Sequence, residues 1–94
     1  MTTTIDILKN EKAILAQKFG VEELGIFGSF ARGEDKPDSD IDILVSIKIK
    51  TLENYIGLLD YLQSKLHKKV DLVTKHKRLS DRFLNIINKD IIYV

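Results

Sequence analysis

Two aspartates, Asp40 and Asp42, lie at the start of an alternating apolar segment, within an acidic part of the sequence. Side chains two residues apart on a strand share a face, with Cα atoms roughly 6.5–7 Å apart. Two carboxylates placed in this way can bracket one divalent cation, or two cations about 3.5–4 Å apart. Because the ligands are all oxygen, the pair predicts a site for Mg²⁺ or Mn²⁺.

The dipeptide Gly28-Ser29 precedes this pair and follows a short apolar run. Ser29 is a favourable N-cap, so the sequence predicts a short helix over 30–33. Free N–H groups at the start of a helix bind anions, and the Ser29 hydroxyl adds one more donor. A phosphate cradle joined by one loop to a carboxylate pair indicates a nucleoside triphosphate site. Asp71, in "KVDLV", would supply a third carboxylate if its strand lies beside that of Asp42.

Each of these signals has a plainer interpretation when it is taken alone. A Gly-Ser is usually only a turn, two aspartates on a strand more often face solvent at an edge, and a lone Asp71 would be a surface acid. The order and spacing of all three together favour the nucleotide site.

Two other phosphate or metal motifs fail on inspection. Gly28 and Gly33 have the spacing of a P-loop, but Glu34-Asp35 replaces the required Lys-Ser/Thr. Three alternating aspartates imitate the start of an EF-hand loop, but Ile43 stands where glycine is needed and Ile49 where glutamate is needed.

The elements that must position these residues follow from hydrophobic periodicity and turn signals. We predict a helix over 5–18 that stops at Gly20, strands over 24–27, 40–47 and 70–73, helices over 30–33, 51–66 and 80–88, a loop over 33–39, and a closing strand over 91–94. This order predicts an α/β (α+β) fold, with a small mixed sheet packed against helices, in one domain over 1–94.

Composition narrows the class of protein. The 94 residues are 44% hydrophobic and 31% charged, which are values of an ordinary folded protein. The absence of cysteine excludes disulfides and thiolate metal sites. The start of the chain resembles no signal peptide and no apolar run is long enough for a membrane span, so a cytoplasmic protein is expected.

Basic residues concentrate between Lys65 and Arg82, where seven Lys/Arg stand against two aspartates. The run is either a solvated face or a surface for phosphate, nucleic acid or an acidic partner. His67 and His76 have no partner at metal-ligand spacing, so surface or capping roles are expected. Tyr55 and Tyr61 fall on or near an apolar helix stripe, which predicts packing.

The spacing G-S-x10-D-x-D from Gly28 to Asp42 resembles the signature of the DNA polymerase β-like nucleotidyltransferase superfamily. The longer run "GSFARGEDKPDSDIDILV" is similar to the minimal nucleotidyltransferases that act as antitoxins to HEPN-domain toxins. "VDLV" and the terminal "IIYV" also suit that group, so the resemblance covers nearly the whole chain.

The resemblance implies a role for each matching residue. Gly28 and Ser29 would hold the triphosphate of ATP. Arg32 would neutralise phosphate charge, although a salt bridge to a neighbouring carboxylate is an equally good interpretation. Asp40 and Asp42 would bind Mg²⁺, with two ions expected, and Asp71 would complete the metal-binding and catalytic triad by orienting or deprotonating the attacking hydroxyl.

The function implied is Mg²⁺-dependent transfer of AMP from ATP to a hydroxyl, most readily a tyrosine, of a cognate HEPN toxin. The protein would then be the antitoxin of a type VII toxin–antitoxin pair and form a hetero-oligomer with the toxin. Neutralisation by binding alone stays open, as does nucleotidyl transfer to a small molecule or an RNA end. A homodimer is also open, and direct binding to nucleic acid is not expected.

Overall fold

A computed structural model describes residues 4–34, 39–75 and 81–94 of the chain. Within them lie three helices and four strands, in the order α1 (Thr4–Phe19), β1 (Val21–Phe27), β2 (Ile41–Ile47), α2 (Leu52–Leu66), β3 (Val70–Thr74), α3 (Asp81–Asn88) and β4 (Ile92–Tyr93). Parts of the predictions fall outside the described residues: most of the loop over 33–39, the helix start at Ser80, and His76.

The four strands form one sheet in the order β3-β2-β1-β4. β1 pairs antiparallel with both β2 and β4, whereas β2 and β3 run parallel. A parallel pair needs a crossover connection, and α2 supplies it. The predicted mixed sheet with helices is confirmed, and the condition that β3 lies beside β2 is met.

The central strand β2 is buried on both faces. Its residues Ile41, Ile43 and Val45 have no exposed surface and join the core that α1 and α2 cover. Leu44 points to the other face, where it packs with Phe27 and Ile87. Because a shift of one residue would exchange the two faces, this burial fixes the register that places Asp42.

Local signals at helix ends agree with the sequence. Gly20 ends α1 with a φ of 69°, and its amide donates to the Ala16 carbonyl at 3.1 Å. Thr51 caps α2, where its side chain accepts from the Asn54 amide at 3.1 Å. The predicted capping role of His67 is confirmed, since it ends α2 in the left-handed conformation.

Two predictions about elements were wrong. No helix forms over 30–33; the segment is a set of turns. β1 begins at Val21, three residues before its predicted start, because Val21 pairs with Ile47 across an irregular register. The exposed Glu22 and Glu23 hide this strand from a search for apolar runs.

No helix in the described parts of the chain is long and apolar enough to cross a membrane.

Candidate active site

Asp42 and Asp71 lie directly across from each other on neighbouring parallel strands. Asp42 is the second residue of β2 and Asp71 is the second residue of β3, so both stand where their strands begin. Asp42 is half-buried, whereas Asp71 is exposed on an edge strand of the sheet. The fold therefore brings together two of the three aspartates that the sequence singled out; we call them the aspartate pair.

Burial raises the pKa of Asp42 above its ordinary value of 3.8, and the negative charge of Asp71 raises it further. The Asp71 side chain is within hydrogen-bonding reach, and the charge of Asp40 adds a smaller increase. Arg32 acts in the opposite direction, but it is the weakest of these influences. Like charges this close disfavour joint ionisation, and among the described residues Arg32 is the one cation that lowers the pKa of Asp42.

Asp40 stands apart from the aspartate pair. It precedes β2 by one residue and is exposed, although the sequence placed it on the strand. Among the described residues, no three His, Cys, Asp or Glu side chains lie close enough together to hold one metal ion. Mg²⁺ is usually held by one or two carboxylates together with substrate phosphates, so the donor set of the pair fits this ion without a third ligand.

The segment 28–34, which we call the site turn, leads from β1 towards the aspartate pair. The Arg32 amide donates to the Gly28 carbonyl at 3.2 Å, and the Glu34 amide donates to the Ser29 carbonyl at 2.9 Å. Within the described residues, the amides of positions 29–31 donate no backbone hydrogen bond. Successive free N–H groups in a turn form an anion-binding concavity, so the segment can receive a phosphate without the predicted helix.

Gly28 is the point where the site turn touches the aspartate pair. Its φ is 76°, a conformation that side chains rarely adopt. A Cβ at this position would collide with Oδ2 of Asp42 and lie 3.1 Å from its Cγ. The glycine is therefore required to leave room for the carboxylate.

Arg32 is engaged by two carboxylates. Its Nε lies 3.2 Å from Oε2 of Glu34, and its Nη1 lies 3.5 Å from Oδ2 of Asp90. The hydrogen bond to Glu34, assisted by Asp90, raises the pKa of Arg32. The salt bridge anticipated from the sequence is thus present, and Asp90 is a partner that the sequence did not indicate.

The other residues singled out in the sequence have structural roles. The Tyr55 hydroxyl donates to the Leu72 carbonyl at 2.6 Å, and the Tyr61 hydroxyl donates to Oε2 of Glu11 at 2.5 Å. Both rings pack against the main core, as predicted.

The basic run is spread over several contacts. Lys65 and Lys75 form ion pairs with Glu11 and Glu23, while the Lys68 ammonium lies 5.9 Å from the centroid of the Phe30 ring. These members of the run do not form one continuous free surface.

Asp71 is the more accessible member of the aspartate pair, since it is exposed whereas Asp42 is half-buried. A cavity of about 330 Å³ occurs at the opposite ends of β2 and β3, between Ile47 and Thr74, and contains neither aspartate. An acceptor can therefore reach the Asp71 carboxylate from outside.

Residues 8–94 match the nucleotidyltransferase domain family. The chain belongs to this family. The resemblance that rested on Gly28-Ser29 and the two aspartates is confirmed, and with it the prediction that the protein is a nucleotidyltransferase.

The nucleotidyltransferase is 43% identical over 89 residues to the protein adenylyltransferase MntA of Thermococcus cleftensis, an alignment that covers 94% of this chain and 89% of the relative. It is also similar to a solved structure described provisionally as a minimal nucleotidyltransferase. The TM-score is 0.75 and the identity is 29%, over 95% of this chain and 93% of that one.

A third similarity concerns the fold alone. One chain of a solved complex has a similar fold; the complex is that of a tri-AMPylated Shewanella oneidensis HEPN toxin with MNT antitoxin. The TM-score is 0.67 and the identity is 19%, over 97% of this chain and 71% of the matched chain.

Proposed function

We propose that this nucleotidyltransferase transfers AMP from ATP to a tyrosine hydroxyl of a cognate HEPN-domain toxin, as the antitoxin of a type VII pair in the cytoplasm. The observation that carries the proposal is the 43% identity with a protein adenylyltransferase over 94% of this chain. The geometry of the aspartate pair and the site turn agrees with it.

The triphosphate would lie on the site turn. Free amides of residues 29–31 face no backbone acceptor among the described residues and can donate to phosphate oxygens. The Ser29 hydroxyl adds one donor, and Arg32 adds positive charge beside it. Gly28 lets this turn approach Asp42 closely enough for one nucleotide to meet both groups.

Asp42 and Asp71 would hold Mg²⁺, and the predicted role of Asp40 as a third ligand would require its side chain to move towards the pair. Oxygen ligands of this charge suit the ion. Burial and the charge of Asp71 raise the pKa of Asp42, which supports a cation here because one would offset the repulsion between the two carboxylates. When bound, two such ions would stabilise the negative charge that develops on the attacking and leaving oxygens.

The reaction is an in-line displacement at the α-phosphorus. The tyrosine oxygen forms a bond to this phosphorus while the bond to the bridging oxygen of the β-phosphate breaks, so that pyrophosphate leaves. The tyrosine proton passes to the Asp71 carboxylate. Asp71 is the better base of the pair because it is exposed on an edge strand, where an acceptor from outside can reach it.

A protein acceptor fits the exposed position of Asp71. A small molecule would need a pocket, and the cavity between Ile47 and Thr74 lies away from the aspartate pair. A protein brings its own surface and can present a tyrosine to the Asp71 carboxylate. The structural neighbour that contains an AMPylated HEPN toxin gives a precedent on the same fold.

The experiment is mass spectrometry of a HEPN-domain partner after incubation with this protein, ATP and Mg²⁺. We expect the partner to gain AMP on a tyrosine and to lose its toxic activity. The Asp71→Asn protein should leave the partner unmodified, whereas Asp60→Asn, a matched charge change on the exposed surface of α2, should modify it normally. Inhibition of the toxin without added AMP would establish neutralisation by binding instead, and AMP found only on RNA or a small molecule would exclude a protein acceptor.

A further inference from the structure

The guanidinium of Arg32 is fixed from two directions. Glu34 approaches Nε at 3.2 Å, and Asp90 approaches Nη1 at 3.5 Å. An arginine has five N–H donors in a rigid plane. The two N–H groups of Nη2 and one of Nη1 are left without a protein partner among the described residues. The side chain is therefore oriented and still has donors for a phosphate.

Glu34 and Asp90 connect Arg32 to different parts of the molecule. Glu34 belongs to the site turn itself and moves with Arg32. Asp90 lies between α3 and β4, and its amide donates to the Ile87 carbonyl at 3.1 Å. Ile87 is buried with Phe27 and Leu44. Of the two carboxylates that contact Arg32 within the described parts of the chain, Asp90 is therefore the one that lies outside the turn.

The junction that carries Asp90 is itself held against β1. Ile91 packs so closely over Gly25 that a Cβ on the glycine would lie 2.8 Å from its Cδ1. The next residues pair with β1 in the register Ile26↔Ile92 and Gly25↔Tyr93. Asp90 thus has a firm position relative to the strand that ends at the site turn.

We propose that Asp90 is a positioning residue, which holds the Arg32 guanidinium in the orientation that binds the triphosphate of ATP. The inference rests on the proposed function, since it assumes that Arg32 contacts the nucleotide. Bidentate recognition of phosphate needs the guanidinium plane to be correctly oriented. An arginine without this partner would lose more rotamer freedom on binding, and Asp90 removes part of that cost before ATP arrives.

The opposite arrangement makes a different prediction. If Asp90 instead held Arg32 away from the nucleotide, its removal would release the arginine and tighten ATP binding. The positioning role is the one proposed because, among the described residues, both N–H groups of Nη2 have no protein partner and can still donate to a phosphate. The sign of the change in KM separates the two.

The first experiment measures steady-state AMP transfer by Asp90→Asn, which keeps the shape of the side chain and removes its charge. We expect KM for ATP to rise by about threefold to tenfold, the range of a coupling between neighbouring charged side chains. The value of kcat should stay unchanged, because Arg32 would bind substrate and transition state alike. Asp90→Glu should restore part of the loss, and Asp60→Asn is the matched control with the same charge change.

The second experiment is a double-mutant cycle with Arg32→Gln. If Asp90 acts through Arg32, Asp90→Asn should have no further effect on KM in the Arg32→Gln background. Additive effects, a lower KM, or a change equal to that of Asp60→Asn would overturn the inference. Direct titration with a fluorescent ATP analogue, together with a melting curve, shows whether each variant is folded and keeps the test valid for poorly active proteins.

These outcomes are distinct from failure of the proposed function. If the wild-type protein neither binds ATP nor transfers AMP, the proposed function fails and the role of Asp90 fails with it. If the wild-type protein is active and Asp90→Asn matches the Asp60→Asn control, only the positioning role is wrong.

Discussion

Two regions of the molecule differ in the partners of their acidic side chains: in one the carboxylate has a hydroxyl and an ammonium partner, and in the other two carboxylates face each other. On the surface between α1 and α2, Glu11 accepts from the Tyr61 hydroxyl at 2.5 Å and lies 3.7 Å from the Lys65 ammonium. At the start of β2 and β3, Asp42 faces Asp71, and within residues 4–34, 39–75 and 81–94 Arg32 alone offsets the charge on Asp42, weakly. We call the group formed by Glu11, Tyr61 and Lys65 the helix clasp.

The contrast separates residues that stabilise the fold from residues that serve the reaction. In the helix clasp, two lysines also lie over the Tyr61 ring, with Lys18 at 5.4 Å and Lys65 at 5.6 Å from its centroid. Each charge there has a partner within the chain. The aspartate pair retains mutual repulsion that a cation could relieve, and strain of this kind is typical of binding sites.

The largest effect is expected from Asp71→Asn, which removes the proposed base from the aspartate pair. Transfer should fall by about 10²-fold or more, the usual contribution of a positioned base. ATP should still bind, because Asp40, Asp42 and the site turn remain. Single-turnover transfer of labelled AMP at saturating ATP measures the effect. An unchanged rate in a folded variant would make Asp71 a surface residue and leave the base unidentified.

A smaller effect is expected from Gly28→Ala, which adds a methyl group between the site turn and Asp42. The left-handed conformation costs a side chain about 1–2 kcal/mol, and the collision must also displace the Asp42 carboxylate. We expect Mg²⁺-dependent ATP affinity to fall by about tenfold, the equivalent of 1.4 kcal/mol. Calorimetric titration with ATP and Mg²⁺ is the measurement.

Gly33→Ala provides the matched control for that prediction. Its φ of 72° imposes similar backbone strain, but no atom of the described residues lies within 4 Å of an added Cβ. Both variants should lose stability, and only Gly28→Ala should lose most of its ATP affinity. Equal losses of affinity would mean that backbone strain in the site turn, not contact with Asp42, explains the effect.

The elements around the aspartate pair differ in how far the sequence could predict them. The alternation in β2 and the apolar stripe of α2 are strong local patterns, and both elements formed as expected. The pairing of Asp42 with Asp71 depended on β3 lying beside β2, which the sequence could only state as a condition. The fold class could be predicted because β2, β3 and the connecting helix α2 define it.

Local sequence patterns could predict neither the conformation of the site turn nor the contact of Asp90 with Arg32. A segment of four residues gains too few hydrogen bonds to specify a helix, and the contacts of Gly28 and Glu34 selected a turn instead. Asp90 reaches Arg32 only because β4 pairs with β1, a contact between distant parts of the chain. No motif near position 90 indicates that contact.

Asp42→Asn tests whether the aspartate pair costs stability. The pKa of Asp42 is raised in the folded protein above 3.8, so the native state binds more protons than the unfolded state between these two pKa values. Stability therefore falls as pH rises through that window, and the full cost is present at neutral pH. We expect Asp42→Asn to melt at a higher temperature than the wild type at pH 7, without Mg²⁺ or nucleotide.

The controls for Asp42→Asn are the dependence of its melting temperature on pH and on Mg²⁺. Below pH 3.8 the advantage of Asp42→Asn should disappear, because the wild-type carboxyl is then protonated in both states. Added Mg²⁺ should stabilise the wild type more than the variant, since binding to the folded state raises stability. A variant that melts below the wild type at pH 7 without Mg²⁺ would show that Asp42 is stabilised by contacts rather than destabilised by Asp71.

The smallest effect is expected from Tyr61→Phe, which removes one hydroxyl from the helix clasp and keeps the ring. Glu11 loses its donor at 2.5 Å but retains Lys65 at 3.7 Å, and the ring contacts with Phe19 and the two lysines remain. The pKa of Tyr61 is raised, first by its hydrogen bond to Glu11, so the hydroxyl stays protonated at neutral pH and the substitution changes no charge. We therefore expect a slight decrease in melting temperature, with KM for ATP and the rate of AMP transfer unchanged. A loss of transfer in a Tyr61→Phe protein that melts like the wild type would show that the clasp takes part in function, and the distinction between the two regions would no longer hold.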